Sequence, residues 1–203
     1  MVFKKLHVDI LEALERLHIE TPTPFQTSSI PVIKSGANVF CIAPKDSGKT
    51  TTLIITTLQK LKCKAEGNAP RAMVIVENKD EVLALYDAFL KFTKYTSLRV
   101  YASYDELHID VQKSEIYLGI DILITTPKTI QKLFLTNGVS VAALKICSVD
   151  DAKFLIQQNT FTSLTTTAES IKKCQYVVYA DALHPKVKSL QNFFMEGARI
   201  VKQ

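Results

Sequence analysis

The chain has 203 residues, of which 47% are hydrophobic and 22% charged, enough for one globular domain with a sizeable core and too apolar for a disordered chain. No apolar run approaches the roughly 20 residues of a membrane-spanning helix, and the N-terminal Met-Val-Phe-Lys-Lys-Leu-His leads into a charged amphipathic stretch where a signal peptide would have an apolar core. The expectation is a soluble, cytoplasmic protein whose net charge of +5 permits a polyanionic partner without identifying one.

In chain order, two helical segments at about 9–17 and 25–34 are separated by Thr21-Pro22-Thr23-Pro24, whose prolines break the helix and force an extended connection. Seven short apolar runs then read as strands at 38–43, 72–76, 98–101, 121–124, 144–149, 175–179 and 199–201. Helical periodicity follows three of them, at Leu53, Leu58 and Leu61, at Val82 to Leu90, and at Ile130, Leu133 and Phe134. A last helix is read at about 185–194, and loops at 62–71, 104–115 and 137–140. Strands apolar on both faces, alternating with helices, predict a mostly parallel sheet covered on both sides. The cysteines Cys41, Cys63, Cys147 and Cys174 form no CxxC pair and are expected to be reduced thiols; His7, His18, His108 and His184 share no metal-ligand spacing and are read as structural.

Ala43-Pro44-Lys45-Asp46-Ser47-Gly48-Lys49-Thr50 leaves the first strand and opens a helix. In a phosphate-binding loop the backbone N–H groups cradle phosphates, a lysine reaches the β/γ oxygens and a hydroxyl holds Mg²⁺, places filled here by Gly48, Lys49 and Thr50. Ala43 stands where the first glycine is usual. Asp46 puts a negative charge beside the ligand, although aspartate tolerates the unusual backbone angles of such a turn.

With these residues in place, the chain resembles the N-terminal RecA-like half of the DEAD-box ATP-dependent RNA helicases. Phe3 and Pro22-Thr23-Pro24-Phe25-Gln26 resemble that family's adenine-recognition motif, which implies that Gln26 reads the base and Phe3 stacks on it. The resemblance further implies RNA-backbone contacts at Lys79, within Glu77-Asn78-Lys79-Asp80-Glu81, and at Thr126, Pro127 and Lys128, with Lys128 in a glycine's place and Thr129 in an arginine's. Ala102-Ser103 stands where Gly-Gly is expected. Asp150-Asp151-Ala152-Lys153 takes the place of the DEAD tetrapeptide, which implies Mg²⁺ at Asp150 with Thr50, and in Asp151 a water-orienting carboxylate one methylene shorter than the family's glutamate. Lys153 replaces the last aspartate, and Ala180-Asp181-Ala182 replaces the Ser-Ala-Thr that it would contact. A charge-swapped Lys153–Asp181 pair joining two neighbouring strand ends is therefore expected, beside the alternative of two independent exposed charges.

The implied architecture is an α/β RecA-like P-loop NTPase domain over residues 1–203, with 1–35 as its adenine-recognition extension and no second RecA-like domain. Three functions remain open: a degenerate domain that binds ATP or ADP with Mg²⁺, and RNA without sequence preference, while hydrolysing weakly through Lys49, Asp150 and Asp151; an ATPase half completed by a second RecA-like domain or another protein; and a protein-interaction scaffold with a vestigial site. The first is favoured, because a vestigial site has no physical reason to retain Gln26, Gly48, Lys49, Thr50 and Asp150 together.

Overall fold

Residues 2–203 of the chain are described by a computed structural model. Seven strands, β1 (Val39–Ile42), β2 (Ala72–Ile75), β3 (Val100–Ser103), β4 (Ile122–Thr125), β5 (Ile146–Val149), β6 (Gln175–Ala180) and β7 (Arg199–Lys202), form one sheet in the order β3-β4-β2-β5-β6-β1-β7. Every neighbouring pair is parallel. Because side chains alternate across a strand, each strand except the edge strand β7, which buries only Val201, feeds two cores. In β1, Val39 and Cys41 join one cluster while Phe40 and Ile42 join the other; β4 divides in the same way between Ile122 with Ile124 and Leu123.

The first cluster is closed by α1 (Val8–Arg16), α2 (Pro24–Lys34), α3 (Lys49–Leu61) and α4 (Lys79–Thr93), through Ile10, Phe25, Leu58 and Phe89. The second is closed by α5 (Ile109–Leu118), α6 (Pro127–Leu135), α7 (Gln158–Glu169) and α8 (Pro185–Lys188), through Ile116, Ile130, Leu164 and Val187. This is the parallel α/β sandwich that the strand pattern predicts and the RecA-like layout that the family resemblance implies. Among the described residues no helix is long and apolar enough to cross a membrane.

Three elements differ from the sequence reading. The expected loop at 104–115 is half occupied by α5, α7 lies where no helix was read, and the last helix ends at Lys188 and continues as a 3₁₀ turn (Ser189–Asn192). At the N-terminal edge of the sheet, Asp121, fully buried before β4, accepts from Arg71 Nη2 at 2.6 Å and Arg99 Nε at 2.8 Å, and from the backbone N–H groups of Arg99 and Glu66. This network pins the starts of β2, β3 and β4 together. The histidines serve helix ends: Nδ1 of His7, His108 and His184 accepts from the backbone N–H two residues on, starting α1, α5 and α8. His18, at φ 55°, closes α1, its N–H donating to Glu15 O and that of Ile19 to Leu14 O.

Candidate functional site

In a parallel sheet of this kind ligands bind beyond the carboxyl ends of the strands, where the connections after β1, β5 and β6 meet. The loop from β1 to α3 makes its turn with two left-handed residues, Asp46 at φ 61° and Gly48 at φ 93°. Aspartate visits that region more readily than most side chains, so Asp46 preserves the expected geometry. Gly48 is required twice over. Its φ disfavours any side chain, and a Cβ there would lie 2.6 Å from Gln26 Nε2 and 3.3 Å from Thr23 Oγ1.

That close approach joins α2 to the loop. Thr23 and Gln26 form a capping box at the start of α2, with Gln26 N–H donating to Thr23 Oγ1 and Thr23 N–H donating to Gln26 Oε1. Thr23 Oγ1 donates to Ser47 O at 2.7 Å, and Gln26 Nε2 donates to Gly48 O at 3.4 Å. Gln26, 2% exposed, is therefore a strut between α2 and the loop, with both side-chain amide atoms engaged. Phe3 lies in the first core cluster among Leu6, Ile10 and Phe25 and is 7% exposed. A base needs an accessible ring face, so the stacking role expected of Phe3 does not fit this placement.

Lys49, the first residue of α3, curls back over its own loop. Its Nζ donates to Ala43 O at 2.5 Å, to Pro44 O at 2.7 Å and to Asp181 Oδ1 at 2.6 Å. The expected Lys153–Asp181 pair is thereby corrected. β6 lies between β5 and β1, so Asp181 at its end can turn to either neighbour; it turns to the β1 side, where Lys49 is held in place by two carbonyls. Lys153 stands exposed in the 3₁₀ turn (Ala152–Ile156) that follows β5, with no ion-pair partner among the described residues.

A cleft of about 550 Å³ opens over this loop, lined by Lys45, Asp46, Gly48, Lys49, Thr50, Asp150, Asp151 and Asp181 and walled by Val76, Glu81 and Leu85. Ala43, Pro44 and Ser47 are not part of that lining: Ala43 and Ser47 are buried and Pro44 is exposed, and Ser47 Oγ is buried without a hydrogen-bond partner among the described residues. The carboxylates crowd one another. Burial, reinforced by the charge of Asp151, pushes Asp150 up to about 6. Burial likewise raises Glu81, with Glu77 and Asp151 adding to it against a backbone hydrogen bond from Glu77. Sequence reading passed over Glu81 as a site residue, although its place in the first turn of the helix after β2, on the ligand-bearing edge, was a usable signal. Thr50 offers an exposed hydroxyl on the first turn of α3, across from Asp150 in the same cleft. A hydroxyl, two adjacent carboxylates and a third nearby form a hard oxygen donor set with excess negative charge, which fits a Mg²⁺-class ion.

The residues expected at an RNA backbone lie on the other side of the same sheet edge. Lys79 opens α4, its Nζ 4.0 Å from Glu106 Oε1 and 5.2 Å from the Tyr104 ring centroid. Thr126 caps α6 and Pro127 fills its first position. The Thr126 hydroxyl donates to Thr129 Oγ1 at 2.9 Å and accepts from Thr129 N–H, so it is committed to its own helix and not free for phosphate. Lys128 and Lys132 share Asp105 at 3.2 and 2.7 Å. The β3–α5 connection thus lays acidic side chains on all three lysines, a masking that sequence order does not reveal.

The sequence profile described as DEAD/DEAH box helicase matches residues 23–188. Among curated proteins, the chain is 32% identical over 139 residues to the pre-mRNA-processing ATP-dependent RNA helicase prp-5 of Neurospora crassa, a match covering 67% of this chain and 12% of that protein. It is 25% identical over 187 residues to the probable ATP-dependent RNA helicase DDX46 of Homo sapiens, covering 89% of this chain and 18% of that one. The match therefore spans less than a fifth of the length of either relative. A crystal structure of a DEAD box protein from the hyperthermophile Methanococcus jannaschii superposes with a TM-score of 0.88 at 17% identity, over 98% of this chain and 54% of that one. With a family profile running from the first cap of α2 to the end of α8, the chain belongs to the DEAD/DEAH box helicase family.

Proposed function

We propose that this chain is a Mg-nucleotide-binding helicase half, taking ATP or ADP over the 43–50 loop and single-stranded RNA along the ends of β2 and β4, with weak hydrolysis on its own. The observation that carries the reading is the position of Lys49: its ammonium is held at the mouth of the loop, in one cleft with Thr50, Asp150 and Asp151. A phosphate entering there meets the N-terminus of a 13-residue helix and a lysine whose present partners are two carbonyls and one carboxylate. Thr50 and Asp150 would hold the Mg²⁺, which when bound neutralises phosphate charge and relieves the crowding of Asp150, Asp151 and Glu81.

Asp151 faces the same cleft at φ 45° and is the group placed to orient water. An aspartate arm is shorter than a glutamate arm by roughly 1–1.5 Å, and misplacement on that scale costs on the order of 10²-fold in rate. The test is phosphate release from ATP with and without added single-stranded RNA. The native chain is expected to stay near background, and Asp151→Glu, which restores the reach, to rise by about tenfold or more; brisk release by the native chain would refute the weak-hydrolysis part of the reading. A second reading, a half completed by another RecA-like domain, draws support from the span of the match, which covers 54% of the archaeal chain. On that reading RNA-stimulated release appears only when the missing part is supplied.

A further inference from the structure

We propose that His7, Asp9 and Cys63 form a binding site for a zinc-class divalent cation that ties the start of α1 to the end of α3. The site lies on the helical layer away from the nucleotide cleft, and its argument is independent of the function proposed above.

The three donors come from segments more than fifty residues apart and converge for local reasons. His7 N–H donates to Gln59 Oε1 at 2.8 Å, which seats the beginning of α1 on the last turn of α3. Lys62 and Cys63, at φ 56° and 52°, then end α3 with two consecutive left-handed residues, a backbone that turns the chain so that Cys63 returns toward α1. His7 Nδ1, an Asp9 carboxylate oxygen and Cys63 Sγ all fall within 4.8 Å of one another. With ligand bonds of about 2.0–2.3 Å, a tetrahedral site has donor-to-donor edges of roughly 3.4–3.7 Å. The His7 Nδ1 to Asp9 Oδ2 separation, 3.6 Å, already has that length. Closing the edges to the thiol takes a movement of about 1 Å, within reach of a χ1 adjustment.

The chemistry of the set is selective. One imidazole nitrogen, one carboxylate oxygen and one thiolate suit Zn²⁺ better than the hard ions that the nucleotide cleft would take. The side chains of His7 and Asp9 are each one-third exposed, which gives an ion an entry path and leaves a fourth position for water. Cys63, 4% exposed, forms the dry floor. Its Sγ otherwise makes only a long contact of 3.8 Å to Leu58 O, and His7 Nδ1 only a long capping bond of 3.4 Å from Asp9 N–H. Burial, and then the neighbouring Asp9 charge, hold the thiol up at about 12. A dication between the two reverses the Asp9 contribution: the thiol releases its proton to water as the sulfur–metal bond forms, and the resulting thiolate and the Asp9 carboxylate, which would otherwise repel, share one cation.

The test uses the full chain, stripped of metal and kept reduced with a phosphine, titrated with Co²⁺ as the spectroscopic probe. The expected result is a near-ultraviolet sulfur-to-cobalt charge-transfer band that saturates at one equivalent and is displaced by Zn²⁺. The band is expected to vanish in Cys63→Ser, to need at least tenfold more Co²⁺ in His7→Ser, which keeps a capping oxygen while removing the imidazole, and to be unchanged in Cys174→Ser, which removes the more accessible thiol. Absence of the band in the native chain, its survival in Cys63→Ser, or its loss in Cys174→Ser overturns the proposal. Should circular dichroism show Cys63→Ser unfolded, the near-isosteric Asp9→Asn decides: tenfold weaker binding upholds the site, and unchanged binding overturns it.

Discussion

Removing the Asp181 carboxylate is expected to tighten binding of Mg-nucleotide, because that carboxylate occupies the ammonium that a phosphate needs. The Lys49–Asp181 contact is 2.6 Å long, with Lys49 11% and Asp181 52% exposed at the side chain. Two unit charges about 4 Å apart at an effective dielectric near 20 attract by about 4 kcal/mol, whereas exposed pairs are worth about 0.2–1 kcal/mol. One partner here is sheltered and the other is open to solvent, so the net worth is set at about 1–1.5 kcal/mol, or a factor of roughly five to ten in affinity. The bonds from Lys49 to Ala43 O and Pro44 O survive the change, so the lysine stays in place for the ligand. Asp181→Ala should therefore lower the dissociation constant of a fluorescent Mg-ADP analogue by about five- to tenfold, and Asp181→Asn, which keeps an acceptor without the charge, by less. An unchanged or weaker affinity in Asp181→Ala would show that the carboxylate does not compete with phosphate and would refute this reasoning.

Three further outcomes follow from ion pairs elsewhere. Burial alone would raise the Asp121 carboxyl, but hydrogen bonds from Arg99 and Arg71 and from two backbone N–H groups outweigh it and hold it low. A carboxylate lower in the folded than in the unfolded chain stabilises fully above the unfolded value, about 3.9, and loses that contribution as pH falls below it; urea midpoints should drop steeply below about pH 4 and much less so in Asp121→Asn. Asp121→Ala leaves the buried Arg71 guanidinium with only the exposed Glu66 carboxylate, at 3.2 Å, as counter-charge and should destabilise at neutral pH by an amount approaching the roughly 3–5 kcal/mol of a broken buried pair, a loss that equal urea midpoints for variant and native chain would contradict. On the RNA side, Asp105→Asn frees Lys128 and Lys132, and each lysine that reaches a phosphate steepens the dependence of log affinity on log salt by about 0.7 for a single strand. Fluorescence anisotropy with a labelled oligonucleotide should show stronger binding at low salt and a steeper slope, and an unaltered slope would place the RNA elsewhere.

Much of this arrangement is legible in the chain, and the rest is hidden for identifiable reasons. The strands stand out because parallel strands buried on both faces read as unbroken apolar runs, as Met73-Val74-Ile75 and Ile122-Leu123-Ile124 do. Helix α5 is hidden because only Gln112 and Ile116 of its residues are buried. A glutamine hydrogen-bonded to Ser103, Tyr104 O and Leu107 O takes the place of an apolar stripe. Helix α7 is masked by six Thr and Ser residues, poor helix formers in isolation, although Phe161, Leu164 and Ala168 keep a helical spacing. At the site, the loop chemistry of Gly48, Lys49 and Thr50 is local and readable. Which lysine Asp181 meets is not, because the order β5-β6-β1 places a lysine-bearing connection on each side of it. The convergence of His7 and Asp9 with Cys63 depends on packing between α1 and α3 and leaves no trace in spacing.

The most direct measurement is a titration of the native chain and of Lys49→Ala with a fluorescent ADP or ATP analogue, each with and without Mg²⁺. The account predicts saturable binding by the native chain that strengthens with Mg²⁺, as the excess carboxylate charge around Asp150 requires, and at least tenfold weaker binding in Lys49→Ala. Equal binding by the two proteins, or no binding by the native chain at millimolar nucleotide, would contradict it and leave the cleft a remnant held shut by Asp46 and Asp181.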